Sequence, residues 1–291
     1  MRVGLLLKRS QPEAVDIARD LQARLAARGV DSHVLADRLD PTADGVTLDE
    51  DDLEHVDLLV VLGGDGTLLH GAALVADRGI PILGVNLGNV GFLTSCPPER
   101  AWPTLEAALD GRLVLEERMR LRVELVREGG TRIVGQACND VVVSQSIARL
   151  MNLEARLDGN LVSHYRVDGL ILATPTGSTA YSLAAGGPIL TPDLRVLVLT
   201  PICPHTLAHR PLVVPASSHL SLRLAVPAAN VLVTIDGQTI ATLGERDHVE
   251  VWAAERPLKL YRPAETSYFD ILREKLAWGG GPHGRKPPSG S

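Results

Sequence analysis

The sequence predicts an α/β N-terminal domain built on a parallel, Rossmann-like sheet, then a mainly β C-terminal domain, with a last segment that returns to the first domain. Three observations predict it. Short apolar runs alternate with helix-length stretches through the first third of the chain, which makes βαβ units and hence parallel strands. Strand-like pieces punctuated by glycine turns then continue to about Val251. Beyond them stands one amphipathic helical segment, YFDILREKL at 268–276. The implied division is 1–116, 117–253, a returning segment 254–278, and a Gly/Pro/Ser-rich tail, 279–291, expected to be disordered.

Taken in order, residues 3–7 read as a buried strand. Pro12 suits the first turn of a helix, Ala14, Ala18, Leu21 and Leu25 share one of its faces, and Gly29 stops it. A strand over about 30–35 follows, then an acidic, turn-rich stretch at 40–55 expected to be a solvated loop or short helix. The apolar run Leu58 to Leu62 ends abruptly at Gly63, Gly64, Asp65, Gly66 and Thr67, and a helix is expected over 67–78. A strand from Ile80 to Val85 and a helix over 98–109, ended by Gly111, complete this part. Ligands of parallel sheets sit outside the carboxyl ends of the strands. That rule places GGDGT and the next turn, GVNLGNVGFL at 84–93, at one edge, facing each other across a cleft. Further on, Arg120 to Glu124, Thr131 to Ala137 and Val141 to Ser144 read as strands, with hairpin turns at Glu128-Gly129-Gly130 and Asp158-Gly159-Asn160. The one clear interruption is TPTGSTAYSLAAGG at 174–187, a loop entering a helix.

Composition narrows the function classes. The chain has 291 residues, 45% hydrophobic and 22% charged, as an ordinary globular protein does. No apolar run reaches the roughly 18 residues of a membrane span, and the start of the chain is too short in apolar residues for a signal peptide. Three widely spaced cysteines, Cys96, Cys138 and Cys203, suit a reducing cytoplasm. A net charge of −6 argues against broad nucleic-acid binding, so a polyanionic ligand must be met locally.

The chemistry concentrates in the glycine turn. Glycines let backbone approach a bulky anion, and a helix start offers N–H groups to phosphate. Asp65 inside such a cradle either caps the helix or has a chemical task, holding a metal or accepting a proton. Neither G-x-x-x-x-G-K-[ST] nor G-x-G-x-x-G is present, since position 69 is Leu. Asn139-Asp140 and Asp168-Gly169 read equally as plain turns or as groups for ribose hydroxyls. Thr174 to Tyr181 offers hydroxyls to phosphate or sugar oxygens, or is an elaborate cap. His205 and His209 lie between prolines with no third metal ligand, so a structural loop is favoured. Asp236-Gly237-Gln238 ends a strand, as a polar contact or a simple hairpin.

Taken together, GGDGT, GVNLGNVGFL, Asn139-Asp140, DGLILATPTGSTAYSLAAGGPIL at 168–190, PHTLAHRPLV at 205–214 and YFDILREKL resemble the NAD kinases in order and spacing, over about 57–278. The resemblance implies transfer of a phosphoryl group from ATP, or polyphosphate, to the 2′-hydroxyl of NAD's adenosine ribose, with a divalent cation such as Mg²⁺. It implies NAD between the domains and assembly into dimers or tetramers. It implies Asp65 as proton acceptor, with Gly66 beside the dinucleotide. Asn139 and Asp140 match an Asn-Glu pair that holds NAD, the acid here one methylene shorter. Arg149 stands near a basic or His position that meets NAD, and Arg166 and Asp168 match a further pair. Thr179, Ala180, Tyr181, Ser182, Leu183 and Ala184 match the segment around the adenine half, Ala184 standing where Ser is common. Gln238 matches a late polar contact. Two rivals are a lipid kinase of the diacylglycerol type and a non-catalytic NAD-binding regulator. The first needs a membrane-facing surface, and no basic amphipathic helix is evident. The second leaves Asp65 without a task.

Overall fold

The structure is a computed structural model that describes residues 1–8, 11–36, 53, 55–88, 91–94, 96–145, 150–206, 208–263 and 267–278. Most of the acidic stretch at 40–55, Arg149 and the tail at 279–291 lie outside the described residues. The strands in chain order are β1 (Arg2–Leu7), β2 (Asp31–Ala36), β3 (Leu58–Gly63), β4 (Ile82–Asn86), β5 (Val114–Arg118), β6 (Leu121–Val126), β7 (Arg132–Ala137), β8 (Asp140–Gln145), β9 (Met151–Leu157), β10 (Asn160–Val167), β11 (Gly169–Ala173), β12 (Val196–Ile202), β13 (Leu212–Pro215), β14 (Leu220–Leu224), β15 (Val231–Ile235), β16 (Gln238–Thr242), β17 (His248–Ala253) and β18 (Leu258–Arg262). The α-helices are α1 (Pro12–Ala27), α2 (Asp65–Val75), α3 (Ala101–Leu109), α4 (Tyr181–Ala184) and α5 (Tyr268–Leu276). Two compact units result: Met1–Glu116 with the described residues from Lys259 on, and Glu117–Leu258.

The first unit carries a six-stranded sheet in the order β2-β1-β3-β4-β18-β5. β1 pairs in parallel with β2 and β3, and β4 in parallel with β3 and β18. Every residue of β3 and β4 is buried, which is why both read as continuous apolar runs rather than alternating ones. Ala14, Ala18, Leu21 and Leu25 of α1 form the buried face expected from their spacing. Pro12 sits at the helix start, and Gly29 takes φ +70° beyond its end. β5 and β18 were not legible in the sequence. β5 is mostly exposed, so it lacks the apolar run that marks its neighbours. α5 starts with a capping box, in which the Ser267 hydroxyl accepts from the Asp270 N–H and the Asp270 carboxylate accepts from the Ser267 N–H. Its Tyr268 ring lies 6.3 Å from that of Phe92.

The second unit has two antiparallel six-stranded sheets, ordered β10-β9-β14-β17-β6-β7 and β13-β12-β11-β8-β15-β16. One apolar cluster, with Leu121, Val123, Leu153, Leu170, Leu199, Leu222, Val233 and Val251, draws on both. β6 alternates buried and half-buried residues, as a strand with one face on a core does. β8 lies between β11 and β15, with Asp140 opposite Ala173 and Val141 opposite Ile235. That register brings residues 138–140, 174–179 and 236–238 to one edge of the sheet.

Among the described residues no helix is long and apolar enough to cross a membrane. Leu83, in β4, is fully buried in the core of the first unit. Leu83→Ala is expected to destabilise that unit by about 2–5 kcal/mol, read as a lower urea midpoint with the same slope.

Candidate active site

β3 runs straight into α2 through Gly63 and Gly64. Gly64 is the N-cap, in extended conformation, and no side chain caps the helix. The capping reading of Asp65 therefore falls. A Cβ on Gly63 would come within 2.6 Å of the Thr67 hydroxyl, whereas Gly64 and Gly66 face open space. The turn thus leaves the helix start uncapped and unobstructed, the arrangement an anion needs.

The Asp65 carboxylate instead reaches the loop after β4. Its Oδ2 accepts from the Phe92 N–H at 2.9 Å. Its Oδ1 accepts from the N–H groups of Leu93 and Thr94 at 3.1 and 3.0 Å and from the Thr94 hydroxyl at 2.9 Å. The Asp65 carboxylate thus joins the two glycine-rich stretches directly. Gly91 has to be glycine on steric grounds, because a Cβ there would overlap both the Asp65 carboxylate and the Thr94 hydroxyl.

A second aspartate makes the same kind of grip in the other unit. The Asp236 carboxylate accepts from the N–H groups of Cys138, Asn139 and Asp140 at 2.8, 2.8 and 3.1 Å. Asp236 and Gly237 have φ of +47° and +81°, values that a two-residue hairpin turn requires. The other side of the 138–140 turn is held by Thr174. Its hydroxyl donates to the Cys138 carbonyl at 2.6 Å, and its N–H donates to the Asn139 carbonyl at 2.9 Å. A Cβ on Gly177 would overlap the Asn139 backbone. Asn139 is half-buried and Asp140 nearly buried. Burial first, and then the neighbouring Asp236 charge, push the Asp140 carboxyl up to about 7. Burial also raises Asp236, against the lowering by its three N–H donors.

The hydroxyl-rich stretch behaves differently from expectation. The Ser178 hydroxyl donates to the carbonyls of Pro175 and Leu190, and Thr179 donates to the Thr176 carbonyl. The Ser182 hydroxyl is buried against that of Thr200, 2.9 Å away. These groups fix the loop rather than offer oxygens to a ligand, because a buried hydroxyl without a partner is costly. Helix α4 is only four residues long. Ala180 and Leu183 are half-buried, Ala184 is exposed, and the Tyr181 ring, 47% exposed, is available for stacking. Arg166 is exposed on β10, and Asp168 is half-buried between β10 and β11. Gln238 is exposed at the start of β16. The His209 ring is tilted 46° to that of Tyr165, with centroids 4.7 Å apart, and bonds Ser163 at 3.0 Å. No group of three His, Cys, Asp or Glu that could hold a metal occurs among the described residues. The sequence reading missed Asn86, Thr94 and the grip of Asp236. A polar residue ending the apolar run of β4 and a threonine closing GFL were the available signals.

A parallel sheet ending in a glycine turn that presents a carboxylate at a helix start, with a β unit whose polar turns converge, defines a nucleotide-binding class of protein. The comparisons identify the family within that class. Residues 3–113 match the ATP-NAD kinase N-terminal domain and residues 138–263 the ATP-NAD kinase C-terminal domain. The chain is 44% identical over 281 residues to the NAD kinase of Geotalea daltonii, covering 96% of this chain and 99% of the relative. It is 41% identical over 284 residues to that of Citrifermentans bemidjiense, covering 96% and 99%. Among solved structures it is similar to yeast NADH kinase complexed with NADH, with a TM-score of 0.86, 26% identity, and coverage of 97% of this chain and 88% of that one. An NAD kinase from Archaeoglobus fulgidus in complex with ATP gives a TM-score of 0.76, 26% identity, and coverage of 96% and 100%. The chain belongs to the NAD kinase family.

Asp140 carries a pH signature. A folded-state pKa above the ordinary value of about 3.9 means that the folded protein holds this proton more tightly than the unfolded one. Its contribution to stability is complete below about pH 4 and is lost as pH rises from there through about 7. Asp140→Asn removes the charge. It is expected to raise the thermal midpoint relative to wild type by more at pH 8 than at pH 5; an equal difference at both pH values would contradict the assignment.

Proposed function

We propose that this protein is an NAD kinase that transfers a phosphoryl group from ATP, or polyphosphate, to the 2′-hydroxyl of the adenosine ribose of NAD, giving NADP. The observation that carries the reading is Asp65: a half-exposed carboxylate at an uncapped helix start beside two unobstructed glycines. Phosphoryl transfer is mostly positioning and charge stabilisation. The helix start and Gly64–Gly66 receive the donor phosphates. Asp65 takes the 2′-hydroxyl proton as that oxygen attacks phosphorus and the bond to ADP breaks. Gly66 lies beside the dinucleotide, and Asn139, Asp140 and Asp168 hold ribose hydroxyls. Arg149 and Arg166 meet NAD's charge, Thr179 to Ala184 flank its adenine half with Tyr181 as the stacking surface, and Gln238 adds a polar contact.

Mg²⁺ enters as part of the substrate, MgATP. Phosphate oxygens would supply most of its ligands, as this ion prefers. We also place the protein in the cytoplasm, as a homodimer or homotetramer. Its three free cysteines support the compartment. For truncation work we propose boundaries at 116, 253 and 278.

The direct test is purified protein with Mg²⁺, NAD or NADH, and in parallel ATP or polyphosphate, with the 2′-phosphorylated product read by a coupled dehydrogenase. Turnover with at least one donor is expected, and none with any donor would sink the reading. Asp65→Asn is expected to cut kcat by about 10²–10⁴-fold. Because an Asn amide would face the Phe92 N–H, the thermal midpoint has to be followed alongside. Near-normal turnover in a folded variant would remove Asp65 from the proton step.

A further inference from the structure

Thr94 is fully buried, close to the Asp65 carboxylate and to Asn86. The direction of each hydrogen bond between them is fixed by valence. The Gly88 N–H donates to Asn86 Oδ1 at 2.7 Å, which leaves Nδ2 as the other end of that amide. Nδ2 can only donate, and it donates to the Thr94 carbonyl at 3.1 Å and the Thr94 hydroxyl oxygen at 3.0 Å. The hydroxyl, having accepted there, gives its own proton to Asp65 Oδ1 at 2.9 Å. With the N–H groups of Leu93 and Thr94, Oδ1 then receives three hydrogen bonds, which exhausts its lone pairs. Among the described residues Oδ2 receives one, from the Phe92 N–H, and keeps a lone pair.

We propose that Thr94, oriented by Asn86, is a positioning residue for the phosphoryl-transfer reaction: it locks the Asp65 carboxylate with Oδ1 saturated, so that Oδ2 is the atom that accepts the substrate proton. This rests on the reading of Asp65 as proton acceptor. Thr94 touches no substrate in this account. It acts through the carboxylate, by removing rotation about the terminal bond of Asp65 and the choice between its two oxygens. A carboxylate that can present either oxygen at several angles spends less time in the attack geometry, and misplacement of that order lowers turnover rather than binding.

The experiment is a double-mutant cycle with Thr94→Val, Asp65→Asn and the pair, together with Thr94→Ser. Val matches the shape of Thr and removes only the hydroxyl. Ser keeps the hydroxyl. Thr94→Val is expected to lower kcat by about tenfold, with KM for NAD and for ATP changed by less than about twofold, since the interaction lost is one that matters in the transition state. Thr94→Ser restores kcat to within about threefold of wild type, and in the Asp65→Asn background Thr94→Val has no further effect. A fall in thermal midpoint alone, with kcat kept, overturns the proposal, as does an equal loss of kcat in both Asp65 backgrounds. If Asp65→Asn is itself as active as wild type, the proton-acceptor reading has failed, which is separable from a failure at Thr94. If Val at 94 does not fold, the Ser variant compared with Thr94→Ala decides, and equal kcat in those two overturns the proposal.

Discussion

An aspartate that accepts hydrogen bonds from three consecutive backbone N–H groups is the device that holds a candidate-site loop in each of the two units. Asp65 holds residues 92–94 in this way, and Asp236 holds 138–140. Each joins stretches distant in the chain, 27 to 29 residues apart in one case and 96 to 98 in the other. Backbone N–H groups in irregular loops must find partners if they are not in water, and an ionised carboxylate is the strongest partner a side chain offers. The glycines follow from the same constraint. A Cβ on Gly91 would overlap the gripping Asp65 carboxylate and the Thr94 hydroxyl, and one on Gly177 the gripped Asn139 backbone.

Most of the fold was legible because the two units obey different periodicities. β3 and β4 are buried on both faces and read as unbroken apolar runs, while β6 alternates. β5 escaped because it is mostly exposed, and β18 because burial on alternate residues leaves a mixed sequence in so short a strand. The stretch at 174–187 was legible as an interruption, but its purpose was not. Hydroxyls near a helix start look the same in sequence whether they face a ligand or a carbonyl, and in Thr174, Ser178 and Ser182 they turn inward. Thr94 and Asn86 were illegible as a pair because a hydrogen-bonded relay depends on where a loop returns, which no local spacing records.

Burial raises both Asp140 and Asp236, and the neighbouring Asp236 charge raises Asp140 further. Two buried acids side by side are unfavourable when both are ionised. Their persistence beside a convergence of polar turns fits a site whose geometry, rather than whose stability, sets the choice of residue.

The central claim is that Asp65 presents Oδ2 to the 2′-hydroxyl of NAD while Oδ1 stays with the 93–94 loop. A crystal structure with NAD and a non-transferable ATP analogue tests it most directly. The account predicts the ribose 2′-oxygen within about 2.6–3.2 Å of Asp65 Oδ2, with the Thr94 hydroxyl still on Oδ1. A 2′-oxygen out of reach of either Asp65 oxygen, or one bound to Oδ1 with the Thr94 contact broken, would contradict it.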